Sequence, residues 1–578
     1  MQHSVQKQQK HTLYRFNGGL HLPENKSQSL KLPLEKAVLP KRLIVPLQQH
    51  IGEGAEPLVK VGDQVLKGDM LAKPHGYVSA PVHAPSSGTV VAVDILPIAH
   101  PSGLPAPCVV IETDGQERWG NQLEPMADYQ HADLSLLRER IRNAGVVGLG
   151  GAAFPSSVKL TPGLENPIDT LIINGAECEP YITCDDLLMQ TQAEKILIGV
   201  GIIRRLVGAG RCLFGIEDNK PEAIRRLRQA VAEAGLEWAS IIAIPTLYPS
   251  GGEKQLIKVL TGREVPSGSI PAKIGMICHN VSTAFAIAEA VVEGRPLISR
   301  YVTVTGNGVR QPKNLEVLIG TPVAELIAQA GGYTGQVAKL IVGGPMMGFT
   351  LNSDEVPVTK ATNCLLAADS NEAPDPGVAI ACIRCGRCAS ACPANLLPQQ
   401  MYWYARAKDL EKVQEYNLFD CIECGCCSHV CPSHIPLVQY FRFAKTESWA
   451  QEKEQRAAER ARQRHEAQLA RKERLEAERK AKLRQKKEAL KKPAVQKPDA
   501  AKLDAGTVDA ADAGDPKKAA IAAALQRAAE KKARLAEQGV EPKNQADLSE
   551  PQKQAIERVD KRRANSDANS VTSEKQGG

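Results

Sequence analysis

The chain of 578 residues carries 72 Lys and Arg against 65 Asp and Glu, a net charge of +7, and is 43% apolar but only 4% aromatic. Such a length holds several domains, and the few aromatics point to a long non-globular part. No apolar run approaches the roughly 18–20 residues that cross a bilayer; KILIGVGII and AFAIAEAVV are half that, so a soluble or peripheral protein is expected. The leading MQHSVQKQQKHTLYRF has no apolar stretch behind its basic residues, which argues against a secretory signal. Fifteen cysteines without such a signal imply a reducing cytoplasm. The charge is uneven: residues 445–492 hold about 17 Lys and Arg against about 9 Asp and Glu, which leaves the rest of the chain near neutral. A nucleic-acid-binding body is excluded on that ground, and the basic segment lacks the interleaved aromatics that base stacking needs.

Residues 1–30 read as a polar lead. Over 31–125, VKVGDQVLKGDMLAKP and VSAPVHAPSSGTVVAVD alternate short β-branched runs with Gly-Asp turns, the pattern of a compact barrel of short strands. It resembles the biotinyl/lipoyl barrel-sandwich domain, but the tip, HGYVSAPVH, lacks the lysine that family modifies. A scaffold is expected, with His75 and His83 as surface or packing residues.

Residues 126–295 change to alternating helices and apolar strands. DLSLLRERIRNAG is a helix with Asp133 as its N-cap, TLIIN and RCLFGI are buried strands, PEAIRRLRQAVAEAG is an amphipathic helix, and SIIAIP and VSTAFAIAEAVV continue the alternation. A largely parallel α/β sheet follows. Within it, GLGGAAFPSSVK (148–159) places Gly148, Gly150 and Gly151 where a backbone can approach a phosphate, and Pro155 suits the first turn of a helix. NGAECEP (174–180) follows a strand, YPSGGEKQLIKVLTGREVP (248–266) sets Gly252 and Glu253 at a helix start, and HNVST (279–283) does so with Asn280.

These four segments, in this order, resemble the flavin- and NADH-binding subunit family of respiratory complex I. The resemblance implies Gly148, Gly150, Gly151, Lys159, Asn174, Glu177, Asn280 and Thr283 for FMN, with Phe154, Glu179 and Glu253 towards NADH. Two positions depart from the family's pattern: Ala176 stands where it has Asp, and Gly252 where it has Glu.

Residues 296–360, with YVTVTGNGVRQPKNLEVLIGTPVAELIAQAGG and KLIVGGPMMG, resemble the soluble-ligand-binding β-grasp domain; Met346 and Met347 are expected to pack. Residues 361–445 carry CIRCGRCASACP (382–393) and CIECGCCSHVCP (421–432), two copies of C-x2-C-x2-C-x3-C-P. Three cysteines two residues apart wrap one corner of a [4Fe–4S] cube, and the fourth, before proline, ligates the cluster of the other copy. One cluster is assigned to Cys382, Cys385, Cys388 and Cys431, the other to Cys421, Cys424, Cys427 and Cys392. Cys426 stands outside the pattern, and Gly386 and Gly425 are read as avoiding crowding of the clusters. Zinc prefers separated C-x2-C pairs, and disulfides need an oxidising compartment. Arg384 and Arg387 in the first loop, against Glu423 in the second, suggest that the first cluster is the more easily reduced. YWYARAKDLEKVQEY between the copies is helical. Residues 446–578 are a solvated basic helix, then, past Pro493, a disordered tail.

The fold class is thus multidomain α/β: barrel-sandwich, flavin-type α/β, β-grasp and two-cluster ferredoxin domains, then a charged tail. That order, over roughly residues 10–445, resembles the C-subunit family of the Rnf (Rsx) ion-translocating electron-transport complexes. The resemblance implies a peripheral protein on the cytoplasmic face of the inner membrane. It would exchange electrons between NAD(H) or ferredoxin and the other subunits, with the basic tail near the membrane surface. A soluble flavin/Fe–S reductase, such as the cobalamin reductase of bacterial microcompartments, is the alternative.

Overall fold

The computed structural model describes residues 11–120, 124–161, 167–491 and 526; the disorder expected past Pro493 lies outside them. Two small antiparallel sheets form the barrel-sandwich. One takes Arg42–Pro46, Ala106–Thr113, Gly88–Leu96 and Gln64–Val65 in that order, the other Glu56–Pro57, Met70–Lys73 and Val82–His83. Its two Gly-Asp turns close alike: Asp63 accepts from Lys60 N at 3.0 Å, and Asp69 from Leu66 N at 2.8 Å. Leu43, Val45, Leu71, Val90, Val109 and Ile111 are fully buried between the sheets. His75 is exposed between Glu53 and Glu56, and His83 is buried.

The α/β domain has four parallel strands in the order Ala239–Ile244, Arg211–Glu217, Thr170–Gly175, Met276–Asn280. Both faces are covered, so the strands are continuous apolar runs. Leu171 and Ile173 pack into one core and Ile172 into another, as do Phe214 and Leu213. Asp133 caps the helix Leu134–Asn143 by accepting from Ser135 N. The helices Ala193–Val207 and Val281–Ala288 touch at Gly199, where a Cβ would lie 1.8 Å from Ala284 O. The strand order turns between Thr170–Gly175 and Met276–Asn280. In open α/β sheets the crevice beyond the carboxyl ends of two such strands is where ligands bind.

The third sheet has six strands, ordered Glu35–Lys36, Lys313–Leu318, Ser299–Thr305, Cys364–Ala368, Lys339–Val342, Phe349–Thr350. Two of them depart from the sequence reading. Cys364–Ala368 lies inside the sheet, beyond the expected boundary at 360, because its apolar residues are covered on both faces. Glu35–Lys36, expected in the barrel-sandwich, pairs in parallel with Leu315 and Glu316.

The cysteine-rich module packs the helices Pro398–Ala407 and Leu410–Glu415 against the start of Leu437–Lys491, around Met401, Val413, Leu418, Phe441 and Ala444. The linker between the cysteine runs is two helices, because Lys408 turns left-handed and Asp409 caps anew. Leu437–Lys491 is one continuous 55-residue helix, and its side chains from Trp449 to Glu488 are exposed. None of the described helices is long and apolar enough to cross a membrane.

Residues 11–29 form a strap: His11 Nε2 meets Leu260 O at 2.7 Å, and Gly19 N donates to Ala391 O at 3.1 Å. Leu20 and Tyr248 exchange two backbone bonds. Lys26, buried, donates to the carbonyls of Glu177, Glu179 and Ile182 at 2.8, 2.9 and 2.6 Å. Composition reads such a segment as solvated because its bonding partners lie far away in sequence.

Candidate functional site

At the crevice between Thr170–Gly175 and Met276–Asn280, the four segments singled out from sequence converge. The glycine loop folds back on itself, Gly148 N donating to Phe154 O at 2.8 Å, and its helix, Ser156–Lys159, is a single turn. Gly150 lies against Asn280, where a Cβ would meet that side chain at 3.0 Å; a Cβ at Gly151 would meet nothing within 4 Å. Beside the loop, Lys159 Nζ pairs with Glu253 Oε1 at 2.7 Å, and both are part-exposed.

The asparagines hold the loops. Asn174 donates to Gly251 O at 2.8 Å and accepts from Ala176 N at 3.1 Å. Asn280 caps its helix by accepting from Ser282 N and donates to Asp185 Oδ2 at 2.6 Å. Thr283 is buried, its hydroxyl accepting from Leu149 N at 2.9 Å, so it anchors the glycine loop from beneath. Ala176 is fully buried in the apolar core, and Gly252 caps the helix Glu253–Thr261, so neither departure from the complex I pattern leaves a gap.

The two glutamates turn inward. Glu177 accepts from Asp185 N at 2.7 Å and Asp186 N at 3.2 Å, and burial pushes its carboxyl up to about 7 against the opposing pull of Lys26. Glu179, expected towards NADH, accepts from Met346 N at 3.2 Å and Met347 N at 2.8 Å of the third sheet's GGPMMG turn. Hydrogen bonds from backbone N–H groups to a carboxylate are charge-assisted and strong. The methionines therefore act through their backbone. His279 Nε2 and Ser156 Oγ are buried without partners among the described residues; such orphaned groups beside a glycine loop suit a polar ligand.

The two cysteine runs fold as near-copies. Arg384 and Glu423 share a left-handed backbone (φ 58° each), as do Gly386 and Gly425 (76° and 82°). That conformation is the reason for glycine there; a Cβ at Gly386 would meet no protein atom within 4 Å. One small cavity is lined by Cys382, Cys385 and Cys388 with Cys431, and the other by Cys421, Cys424 and Cys427 with Cys392. Each is thus completed by the Cys-Pro cysteine of the other run, in keeping with the crossed ligation expected from the spacing. Cys426 is buried at the second cavity beside Tyr248 and Ala391.

The second cavity leans on the α/β domain. Tyr248 OH donates to Cys424 O at 2.6 Å and lies beside the Glu179 carboxylate, while Met346 O stands where a Cβ on Gly425 would meet it at 2.8 Å. Glu423, read from sequence as the anion of the second loop, is paired with Arg442 at 2.8 Å and Lys445 at 2.7 Å. Lys445 also donates to Cys421 O at 2.7 Å.

Comparison with known proteins bears on the whole arrangement. The profile of the Nuo51 FMN-binding domain matches residues 141–289, the RnfC barrel sandwich hybrid domain 14–116, the SLBB domain 301–350, and the 4Fe-4S dicluster domain 381–435. A Pseudomonas aeruginosa protein, named as the C subunit of an ion-translocating oxidoreductase complex, is 52% identical over 408 residues, covering 71% of this chain and 52% of that protein. The chain belongs to that RnfC family. A Vibrio cholerae RnfC relative of the same name is 50% identical over 477 residues, 82% of this chain and 61% of its own, so the chain spans about half to three-fifths of these relatives. Among solved structures, an NAD+-reducing [NiFe]-hydrogenase in the H2-reduced state aligns over 55% of this chain and 64% of its own, with a TM-score of 0.41 and 20% identity.

Proposed function

We propose that this chain is the peripheral electron-transfer subunit of an ion-translocating membrane complex, passing electrons between NADH, or ferredoxin, and membrane-bound subunits at the cytoplasmic side of the inner membrane. One observation carries the reading: two four-cysteine cavities, one of them bonded through Tyr248 and Cys424 to the loops of a flavin-type crevice. The domain matches and the RnfC relatives support it, and they do not favour the soluble reductase.

In this reading each cavity holds a [4Fe–4S] cluster on its four thiolates, and FMN lies on the glycine loop. FMN held there would supply the chemistry that converts hydride transfer into single-electron transfer, the kind such clusters carry. The protein's own part is positional. The Gly148–Gly151 backbone admits a close approach, and Lys159 supplies a cation beside the loop, with Glu253 fixing its ammonium. Asn174, Asn280 and Thr283 hold the loops in register, while Glu177 pins the turn behind them. Phe154 and Glu253 remain to meet the nicotinamide, and Glu179 orients the GGPMMG turn. Tyr248 fixes the Cys421–Cys427 loop against this crevice, and burial there excludes water.

Anaerobic purification with iron, sulfide and flavin quantified together tests this. About eight irons and eight sulfides per chain are expected, the content of two [4Fe–4S] clusters, with one FMN. Iron near half that value, or zinc in its place, would sink the two-cluster reading.

A further inference from the structure

A cavity of about 740 Å³ opens at the amino ends of the strands Arg211–Glu217 and Ala239–Ile244, at the opposite end of the sheet from the flavin-type crevice. It lies between the helices Ala193–Val207 and Pro221–Glu233, with aliphatic walls from Leu137, Leu197, Ile202 and Leu236. Small-molecule sites have this character: about 300–1,000 Å³, mostly apolar, with a few placed polar groups. Two glycines of the first helix differ in what requires them. Gly199 is forced by the close approach of Ala284, whereas a Cβ on Gly201, which lines the cavity, would meet nothing within 4 Å. Glycine inside a helix costs stability relative to alanine, and no neighbour of Gly201 demands it; what it leaves is open space. Arg204, three residues on and so on the same face, lays its guanidinium 4.9 Å from the Trp238 ring centroid. Its Nε is buried without an acceptor among the described residues. Arg205 beside it donates to Tyr129 O and Ala132 O. The acid lining the cavity, Glu194, is taken by Arg226 at 3.1 Å, so neither arginine is in an ion pair among the described residues.

We propose that this cavity binds an anionic amphiphile, a long aliphatic chain ending in a carboxylate or phosphate, with the chain over Gly201 and the head on Arg204. Both halves of the ligand follow from the lining. Burial of methylene groups against the leucines and isoleucine drives the chain in, and the head supplies the acceptor that Arg204 Nε lacks. A buried charged donor left unmet is costly, and its bond to an anion is charge-assisted. A neutral apolar ligand would leave that donor orphaned, and a small hydrophilic anion would leave the aliphatic walls wet. The site is independent of the flavin-type crevice and of the cysteine cavities, since none of its residues belongs to either.

The test uses the full chain purified anaerobically, with palmitate below its micellar concentration as probe and binding read by calorimetry. One palmitate per chain is expected, and hexadecanol, the same chain without the charge, is expected to bind about tenfold more weakly or worse. Gly201→Leu fills the cavity from a position where its Cβ meets no atom, and leucine favours the helix. It is expected to weaken palmitate about tenfold or more at a parent-like melting temperature. Arg204→Met is expected to weaken palmitate about tenfold and to leave hexadecanol unchanged. Lysophosphatidylglycerol in place of palmitate separates the two sources of such a ligand: tighter binding of the lysolipid points to the membrane, tighter binding of palmitate to free fatty acid. Parent-like palmitate binding in Gly201→Leu overturns the site, and equal binding of palmitate and hexadecanol to the parent overturns the anionic head. If neither amphiphile binds the parent, the proposal fails; a change in sedimenting mass of Gly201→Leu would then assign the cavity to contact between copies of the chain.

Discussion

Cys385 stands at the surface with exposed Arg384 and Arg387 as neighbours, whereas its counterpart Cys424 is buried and receives a tyrosine hydroxyl on its carbonyl. Around the second site, Glu423 is flanked by Arg442 and by Lys445, which is 8% exposed. Two nearly identical loops have thus been placed in opposite electrostatic settings. The first has two cations in high dielectric. The second has one carboxylate outnumbered by two cations, of which Lys445 is buried and Arg442 part-exposed. Since screening weakens exposed charges most, the loop residues alone do not set the ranking of potentials. What decides is the pairing around each loop, and the cations come from a helix some twenty residues away.

The largest effects separate the sites by ligation. Cys392→Ala is expected to abolish the cluster on Cys421, Cys424 and Cys427 while leaving the one on its own run, and Cys431→Ala to do the reverse; paramagnetic resonance of the reduced variants reads both. Loss of the local cluster in each case would refute the crossed ligation. Cys426→Ala keeps four ligands at each cavity and is expected to retain both signals.

A smaller effect tests the charge argument. Lys445→Met removes a cation from the second site, so its potential is expected to fall by on the order of 50 mV, with the first unchanged. Glu423→Gln leaves the two cations unopposed and raises it. Redox titration of both variants checks the signs, and a shift confined to the first cluster would be incompatible with the pairing seen here.

Away from the clusters, Glu177 offers a pH test. Its folded pKa of about 7 lies above the unfolded value near 4.5, so between these limits the native state binds more protons. Stability therefore falls as pH rises from about 4.5 to about 7. Glu177→Gln is expected to flatten the fall in melting temperature over that window; an unchanged slope would mean that the carboxyl ionises freely in the native state.

The smallest effect concerns the basic helix. Truncation at residue 445, the boundary read from sequence, would cut Ser448, buried and bonded to Gln414, and Trp449, which packs on Phe419. A stop after residue 455 spares these contacts. It is expected to leave both clusters and NADH-dependent dye reduction unchanged, while weakening membrane recovery at low salt, where basic residues contribute about 1 kcal/mol each near an anionic surface.

Local pattern made the cysteine runs, the strand–helix alternation and the glycine loop legible, because spacing alone fixes which side chains share a face or a corner. What it could not convey was pairing between distant segments. Glu35–Lys36 joins a sheet whose other strands begin at Ser299, and Cys364–Ala368 looks like a linker until its neighbours on both sides are known. Glu179 is acidic and follows a strand, so an open ligand role suited it; only the third sheet's turn reveals its partners. Glu423 misled for the same reason, Lys445 being invisible from the loop.

The strap has a consequence for the order of events during synthesis. His11 to Lys26 are translated before Glu177, Tyr248 and Ala391, the residues they bind, and at about 5–20 residues per second the last of these emerges tens of seconds later. The seam over the second cysteine site can therefore close only after both cysteine runs exist, on residues made well before them. Cys421, Cys424 and Cys427 emerge later still, so the strap has its full partner surface only once the second run is made.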